Sequence, residues 1–171
     1  MIPEIAPIRT ENLLLRAFRV EDFPGYLAYY TGERTGGVGG PLPAHRVFER
    51  FCSMIGHWAM RGYVRYAISD HAAGPAFGHV GPMKLTDDAP PEMTWTIWDG
   101  ARTGKGLATE AAGAVLDHLF ANGWTEIVAH IDVGNEASLR MARRLGAVED
   151  TETPGPDWLP DARRFVLRPW S

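Results

Sequence analysis

Only one cysteine, Cys52, stands in the 171 residues, so no disulfide can close within the chain. A disulfide framework is excluded, and a reducing, cytoplasmic setting is the expectation. Basic charge is not in excess either: 17 Lys and Arg face 21 Asp and Glu, for a net charge of −4. That balance argues against a nucleic-acid binder with a basic face. No apolar run approaches the roughly 20 residues of a membrane-spanning helix, and Met1-Ile2-Pro3-Glu4 does not begin a signal peptide. Internal repeats, low-complexity tails and linkers are missing as well. The remainder is an ordinary globular composition, 45% hydrophobic, enough to bury a core in a single domain over residues 1–171.

Periodicity and punctuation give the order of elements. Leu13 to Phe18 reads as a strand. Glu21-Asp22-Phe23-Pro24 opens a short helix through Tyr30, with acids in the first turn as the helix dipole prefers. Thr31 to Pro43, rich in glycine and proline, is a loop long enough to carry function. Ala44 to Arg61 places Val47, Phe51, Ile55 and Trp58 at helical spacing. Tyr63 to Ile68 is a strand, Asp70 to Pro75 its turn, and Ala76 to Leu85 a second strand broken by Gly78, Gly81 and Pro82. Glu92 to Trp98 is aromatic and β-branched, hence a third strand of this block. From Leu107 to Phe120, Ala108, Ala112, Val115 and Leu119 recur at helical spacing, and Asn122-Gly123 stops that helix. Strands at Thr125–Val133, Ala147–Thr151 and Arg163–Arg168, with a helix from Asn135 to Gly146, complete an α/β chain. The expected architecture is a mixed, largely antiparallel sheet of six to seven strands flanked by about four helices.

Between the Glu92–Trp98 strand and the Leu107 helix lies Thr103-Gly104-Lys105-Gly106. The unpaired N–H groups of a helix start favour an anion, and glycines let the backbone approach one without a Cβ in the way. The local pattern alone leaves phosphate binding and a plain turn both open. Two nucleotide motifs are excluded. A P-loop requires Gly, four residues, then Gly-Lys-Ser/Thr, whereas here Asp99 holds the first position and Gly106 follows Lys105. A Rossmann fingerprint lacks its third glycine, Ala108 standing there instead.

The run TGKGLATEAA (Thr103 to Ala112), followed by NEASLRMARRLGA (Asn135 to Ala147), resembles the GNAT superfamily of acyl-CoA-dependent N-acetyltransferases, and within it the Rim-type branch. ENLLLRAFRVEDF (Glu11 to Phe23) and PEMTWTIW (Pro91 to Trp98) match that branch's opening and its central strand. One departure is Thr103, where the superfamily's pyrophosphate loop carries Gln or Arg. The resemblance implies a GNAT-like fold and acetyl-CoA as acyl donor, with no metal. It also implies an amine acceptor, either a protein N-terminus or a small molecule. A non-catalytic acyl-CoA-binding module is the reading from a different class.

The resemblance also implies a site. Thr103, Gly104, Lys105, Gly106, Leu107, Ala108 and Thr109 would grip the pyrophosphate. Trp95, Thr96 and Ile97 would pair with the pantetheine arm as an added strand would, and Asn135 and Ser138 would lie beside that arm. Glu92, at the head of the central strand, is the first candidate for the base, its alternative being a solvated hairpin acid. Ser138 is the candidate for helping the departing thiolate, because the Tyr that many members carry four residues further on is Ala142 here. His79 and His130 have the intrinsic pKa of a base, but with no partner nearby in sequence they read as core or sheet-face residues. Asp132 reads as a turn-maker and Arg140, Arg143 and Arg144 as a solvated basic strip, a contact with the 3′-phosphate of the cofactor being the alternative. Trp58 and Trp158, with the loops Thr31–Pro43 and Thr153–Asp161, are candidates to wall the acceptor cleft.

Overall fold

A computed structural model describes residues 4–70 and 74–169; residues 1–3 and the middle of the 70–75 turn lie outside it. Eight strands, β1 (Ile8–Arg9), β2 (Leu14–Arg16), β3 (Tyr66–Ser69), β4 (Gly78–Met83), β5 (Glu92–Ile97), β6 (Ile127–Ile131), β7 (Val148–Asp150) and β8 (Arg163–Leu167), form one sheet in the order β1-β2-β3-β4-β5-β6-β8-β7. The helices are α1 (Phe23–Tyr30), α2 (Ala44–Arg61), α3 (Leu107–Ala121) and α4 (Glu136–Arg144). One strand more than expected is present. β1 contributes two residues, too short for any periodicity, and exists because Ile8 and Arg9 pair with Leu15 and Leu14.

Every neighbouring pair is antiparallel except β5 and β6, which α3 connects as a crossover. Six residues of β5 pair with β4, whereas the parallel side registers only Glu92 against Val128. Beyond that point β5 and β6 part. An edge of β5 is thereby left open at the carboxyl end of the parallel pair, the place where open α/β sheets bind ligands.

Strand alternation assigns side chains to two layers. Leu15, Tyr66, Ile68, Val80, Ile127, Ala129 and Ile131 pack with Ala111, Ala112, Val115, Leu116 and Leu119 of α3 and Leu139 and Ala142 of α4. Ala67, with Ala76 and Trp98, meets Tyr26 and Tyr30 of α1 and Val47, Phe51 and Met54 of α2 on the other face. The buried stripe of α2 runs through Met54, while Ile55 is 37% exposed. Val47 and Phe51 are buried as expected and Trp58 packs against the main core, so only Ile55 departs, Met54 taking its place beneath α1.

Gly78, Gly81 and Pro82 do not break β4. A Cβ on Gly78 would sit 2.6 Å from the carbonyl oxygen of Thr96 on the neighbouring strand. Gly81 has φ of +138°, and a Cβ there would lie 2.7 Å from the Val64 carbonyl and 3.0 Å from Arg65 Cα. The glycines thus let neighbouring backbone close in on β4. β3 begins at Tyr66 instead of Tyr63, and the backbone just before it, at Val64 and Arg65, lies against Gly81.

The first turn of α1 also departs from expectation. Asp22 does not act through the dipole. Buried to 1% exposure, it pairs with Arg16, itself 4% exposed. Its Oδ2 accepts from Arg16 Nη1 and Arg19 N, both at 2.8 Å, and its Oδ1 from Arg16 Nη2 and Ala76 N, both at 2.9 Å.

Candidate functional site

Where β5 and β6 part, two cavities open and meet. One is a cleft of about 760 Å³ lined by the ends of β5 and β6, the glycine loop and the starts of α3 and α4. The other, of about 560 Å³, lies on the α1–α2 side and is lined by Glu92, Thr94, Thr96, His79, His130, Arg50 and Arg65, among others. Gly37, Val38, Trp95, Thr96, Asp132, Asn135 and Ser138 line both, so they mark the junction.

The first cavity presents groups of the kind that favour an anion. Gly104 and Gly106 have φ of +74° and +79°, and Gly106 is the N-cap of α3 without any side-chain cap. Glu110 N is the first amide to find a helical acceptor, the Gly106 carbonyl at 3.0 Å. The amides of Leu107, Ala108 and Thr109 precede it and have no such partner, and all three residues line the cleft. A Cβ on Gly104 or Gly106 would meet nothing within 4 Å, so the glycines are needed for their left-handed backbone and not to relieve crowding within the chain. Thr103 lines the cleft, while Lys105 is exposed and outside the lining. Arg140 and Arg144, one turn apart on α4, face the same cleft; Arg143 does not. Glu110 anchors this helix start: its carboxylate accepts from Thr10 Oγ1 at 2.5 Å and from Asn12 N and Nδ2 at 2.9 and 3.0 Å.

The start of α4 forms the wall of the junction. Asn135 Oδ1 accepts from Ser138 N at 3.1 Å as an N-cap, and its Nδ2 faces Gly37, where a Cβ would come within 3.3 Å. Ser138 Oγ accepts from Trp95 Nε1 at 3.1 Å. The serine's own hydrogen is therefore left to point at whatever occupies the junction. Trp95 and Ile97 line the cleft from the open edge of β5, while Thr94 and Thr96 face the second cavity with Glu92.

Glu92 is not a solvated hairpin acid. It is 9% exposed, and its Oε1 lies 3.1 Å from His130 Nδ1, a close approach without the alignment of a hydrogen bond. His130 stands two residues beyond Val128, the register partner of Glu92, so parallel pairing places both on the same face as diagonal neighbours. Sequence alone gave His130 no partner; a register across 30-odd residues of crossover is not readable there. His79 is 3% exposed, and its Nδ1 accepts from Trp98 Nε1 at 3.0 Å. Burial, reinforced by Arg65 and Arg50, pushes this imidazole well below its ordinary value. Its acceptor nitrogen is thus already used, and it stays neutral. Asp132 makes a turn, accepting from Gly134 N at 2.7 Å.

Of the two tryptophans, Trp158 lines the second cavity with Leu159, whereas Trp58 packs against the main core. The Thr31–Pro43 segment contains a 3-10 turn, Glu33–Val38, that carries Gly37 and Val38 to the junction. Arg50 and Arg65, which also line the second cavity, went unnoticed at the level of sequence: nothing distinguishes a lone arginine in a strand or helix from a solvated one.

Among the described residues, no helix is long and apolar enough to cross a membrane, and no three His, Cys, Asp or Glu side chains gather as metal ligands. The family model for the acetyltransferase (GNAT) domain matches residues 12–148. No curated protein matches the sequence. In structure the chain is similar to the acetyltransferase from Agrobacterium tumefaciens str. C58, at 28% identity and a TM-score of 0.88, with 99% of this chain and 98% of that one covered. Two more distant neighbours share the fold. The ribosomal-protein-S5-alanine acetyltransferase from Vibrio fischeri is 17% identical with a TM-score of 0.75, covering 96% and 97% of the two chains. Mycobacterium smegmatis RimJ, in complex with CoA-disulfide, is 20% identical with a TM-score of 0.69, covering 95% and 86%.

Proposed function

This chain belongs to the GNAT acetyltransferase family, and from that premise we propose that residues 1–171 act as one catalytic domain. It transfers an acetyl group from acetyl-CoA to a primary amine in a reducing, cytoplasmic setting. The observation that carries this reading is the meeting of two cavities at the parted strands, one with an uncapped helix N-terminus and the other with a buried carboxylate.

The residues present fit acetyl-CoA. Amides of Leu107, Ala108 and Thr109 hold the pyrophosphate, with Thr103, Gly104 and Gly106 shaping the loop. Lys105, exposed, adds positive charge at the rim without entering the lining. Arg140 and Arg144, also exposed, add positive charge along the α4 side of the cleft. The open edge of β5 at Trp95, Thr96 and Ile97 offers backbone groups to the pantetheine amides, and Asn135 lines the same passage. When bound, the donor supplies an activated acyl group and a thiolate leaving group.

Glu92 accepts the proton of the incoming amine, directly or through a water, with His130 against it to share or relay the charge. A backbone N–H of β5 stabilises the carbonyl oxygen as it gains negative charge. Ser138, held by the Trp95 indole, donates its hydrogen toward the departing sulfur. Full proton transfer is not demanded of it, since thiols have pKa values of only about 8.5.

The test is release of CoA thiol from acetyl-CoA in the presence of a panel of peptides and small amines. Amine-dependent release supports the reading. Binding of acetyl-CoA without turnover by any amine would instead make the chain an acyl-CoA-binding module.

A further inference from the structure

Two arginines in this fold are buried to nearly the same degree, and the terminal nitrogens of their guanidinia are surrounded differently. Arg16, 4% exposed, has Asp22 and the carbonyl oxygens of Ala17 and Gly74 around its guanidinium. Arg65, 5% exposed, makes no hydrogen bond and no ion pair among the described residues; its buried Nε has no partner, as at Arg16, but its terminal nitrogens have none either. Burying a charge without partners is among the costliest arrangements a fold can hold. Arg16 shows how this chain satisfies an arginine when the role is structural.

Arg65 lines the second cavity, together with Arg50. Arg50 lies over the Tyr30 ring at 4.7 Å and donates to the Val38 carbonyl at 3.3 Å, again with no carboxylate beside it. The groups that bear on Arg65 electrostatically are the phenols of Tyr26 and Tyr30 and the second guanidinium of Arg50. Phenols carry no charge near neutral pH, and burial pushes Tyr26 higher still. Burial pushes the Arg65 guanidinium down to about 10, which leaves it charged under physiological conditions. The one carboxylate lining this cavity apart from Asp132 at the junction is Glu92, and it lies against His130 instead. Gly81, with φ of +138°, lets the Arg65 backbone press against β4.

Resting on the acetyl-transfer reading, we propose that the acceptor is a primary amine that also bears a carboxylate, and that Arg65, assisted by Arg50, binds that carboxylate. The amine then lies toward Glu92 and the junction, and the acid toward the paired guanidinia. Such an acceptor is either a small amino acid or a peptide N-terminus followed by an acidic side chain; both present the same chemistry.

Matched acceptors differing only in charge test this. We would compare kcat/KM for 5-aminopentanoate against 5-aminopentanamide, and for Ser-Asp-Ala-amide against Ser-Asn-Ala-amide, in the unsubstituted enzyme, Arg65→Met and Arg65→Lys. In at least one pair the acid should be preferred by about 10- to 100-fold, as charge-assisted hydrogen bonds give, with the difference carried mainly by KM. Which pair shows it identifies the source. Arg65→Met should bring the ratio to about one, and Arg65→Lys should restore part of it. A ratio near one in the unsubstituted enzyme, or one that Arg65→Met leaves intact, overturns the proposal. Thermal melts separate this outcome from failure of the acetyl-transfer reading. Glutarate should raise the Tm of the unsubstituted protein and not of Arg65→Met, whether or not any amine turns over. Without glutarate, Arg65→Met should melt higher than the unsubstituted protein, and a marked fall in Tm would make Arg65 structural and sink the idea.

Discussion

Replacing Asp22 with Asn should cost about 3–5 kcal/mol, the range for breaking a buried ion pair by removing one partner. The geometry explains why an isosteric change is so expensive. Each carboxylate oxygen accepts two donors, one from Arg16 and one from a backbone amide, Arg19 N or Ala76 N. Whichever way the new amide is turned, its NH2 faces two donors, so two hydrogen bonds are lost and Arg16 is left half-paired in a 4% exposed site. For a chain of this size, the loss corresponds to a Tm lower by roughly 6–20 °C. Urea denaturation at pH 7 reads it as a shift of midpoint at unchanged slope. Its pH dependence has a definite sign. Burial alone would raise the Asp22 carboxyl, but Arg16 and the amides of Ala76 and Arg19 outweigh it and hold the group below its ordinary value. The contribution is therefore fully present above the unfolded pKa near ~4 and is lost as pH falls through the lower folded value. Wild type and variant should converge in that acidic window. A difference below about 1 kcal/mol at pH 7, or one that persists unchanged toward pH 3, would refute the assignment of this pair.

Three further outcomes concern the site. Glu92→Gln should lower turnover by on the order of 100-fold, most below the pKa of the amine and less as pH rises; normal turnover at neutral pH would remove Glu92 as the base. Ser138→Ala should lower turnover roughly 10-fold, about 1.4 kcal/mol, with acetyl-CoA affinity nearly intact, and a loss confined to affinity would make it a binding residue only. Acetyl-CoA at ~100 times its dissociation constant should stabilise the protein by roughly 2.7 kcal/mol. In Gly106→Ala that ligand-induced increment should shrink, separately from a lower unliganded stability due to the φ of +79°; an unchanged increment would show that the loop does not hold the cofactor.

Much of the cleft proposed here for the acetyl donor was legible beforehand because it is local. The loop, the helix start and the first turn of α4 are contiguous segments whose function resides largely in backbone amides, glycine φ and a cap. Sequence order alone brings Gly104 to Thr109 together. Lys105 is the exception, since which way a loop side chain turns depends on what surrounds it. The same locality explains why α2 reads from Ala44 to Arg61 in the sequence while one inward position, Ile55 in place of Met54, does not hold. Periodicity fixes a stripe only to within the width of its neighbours.

The second cavity, proposed here for the acceptor, was the work of tertiary structure. His130 meets Glu92 only because parallel register sets Glu92 opposite Val128, a pairing made across the whole α3 crossover. Arg65 acquires meaning only through burial without a partner, a property that depends on α1, α2 and β4 closing around it. Composition, the absence of disulfides and the glycine loop were determined by the sequence itself, since each depends on residue type or on neighbours a few positions away. The parting of β5 and β6, the pairing of a carboxylate with a histidine and the orphaned guanidinium were decided by the fold. Each is a relation between residues far apart in the chain, and only long-range packing sets the distance between them.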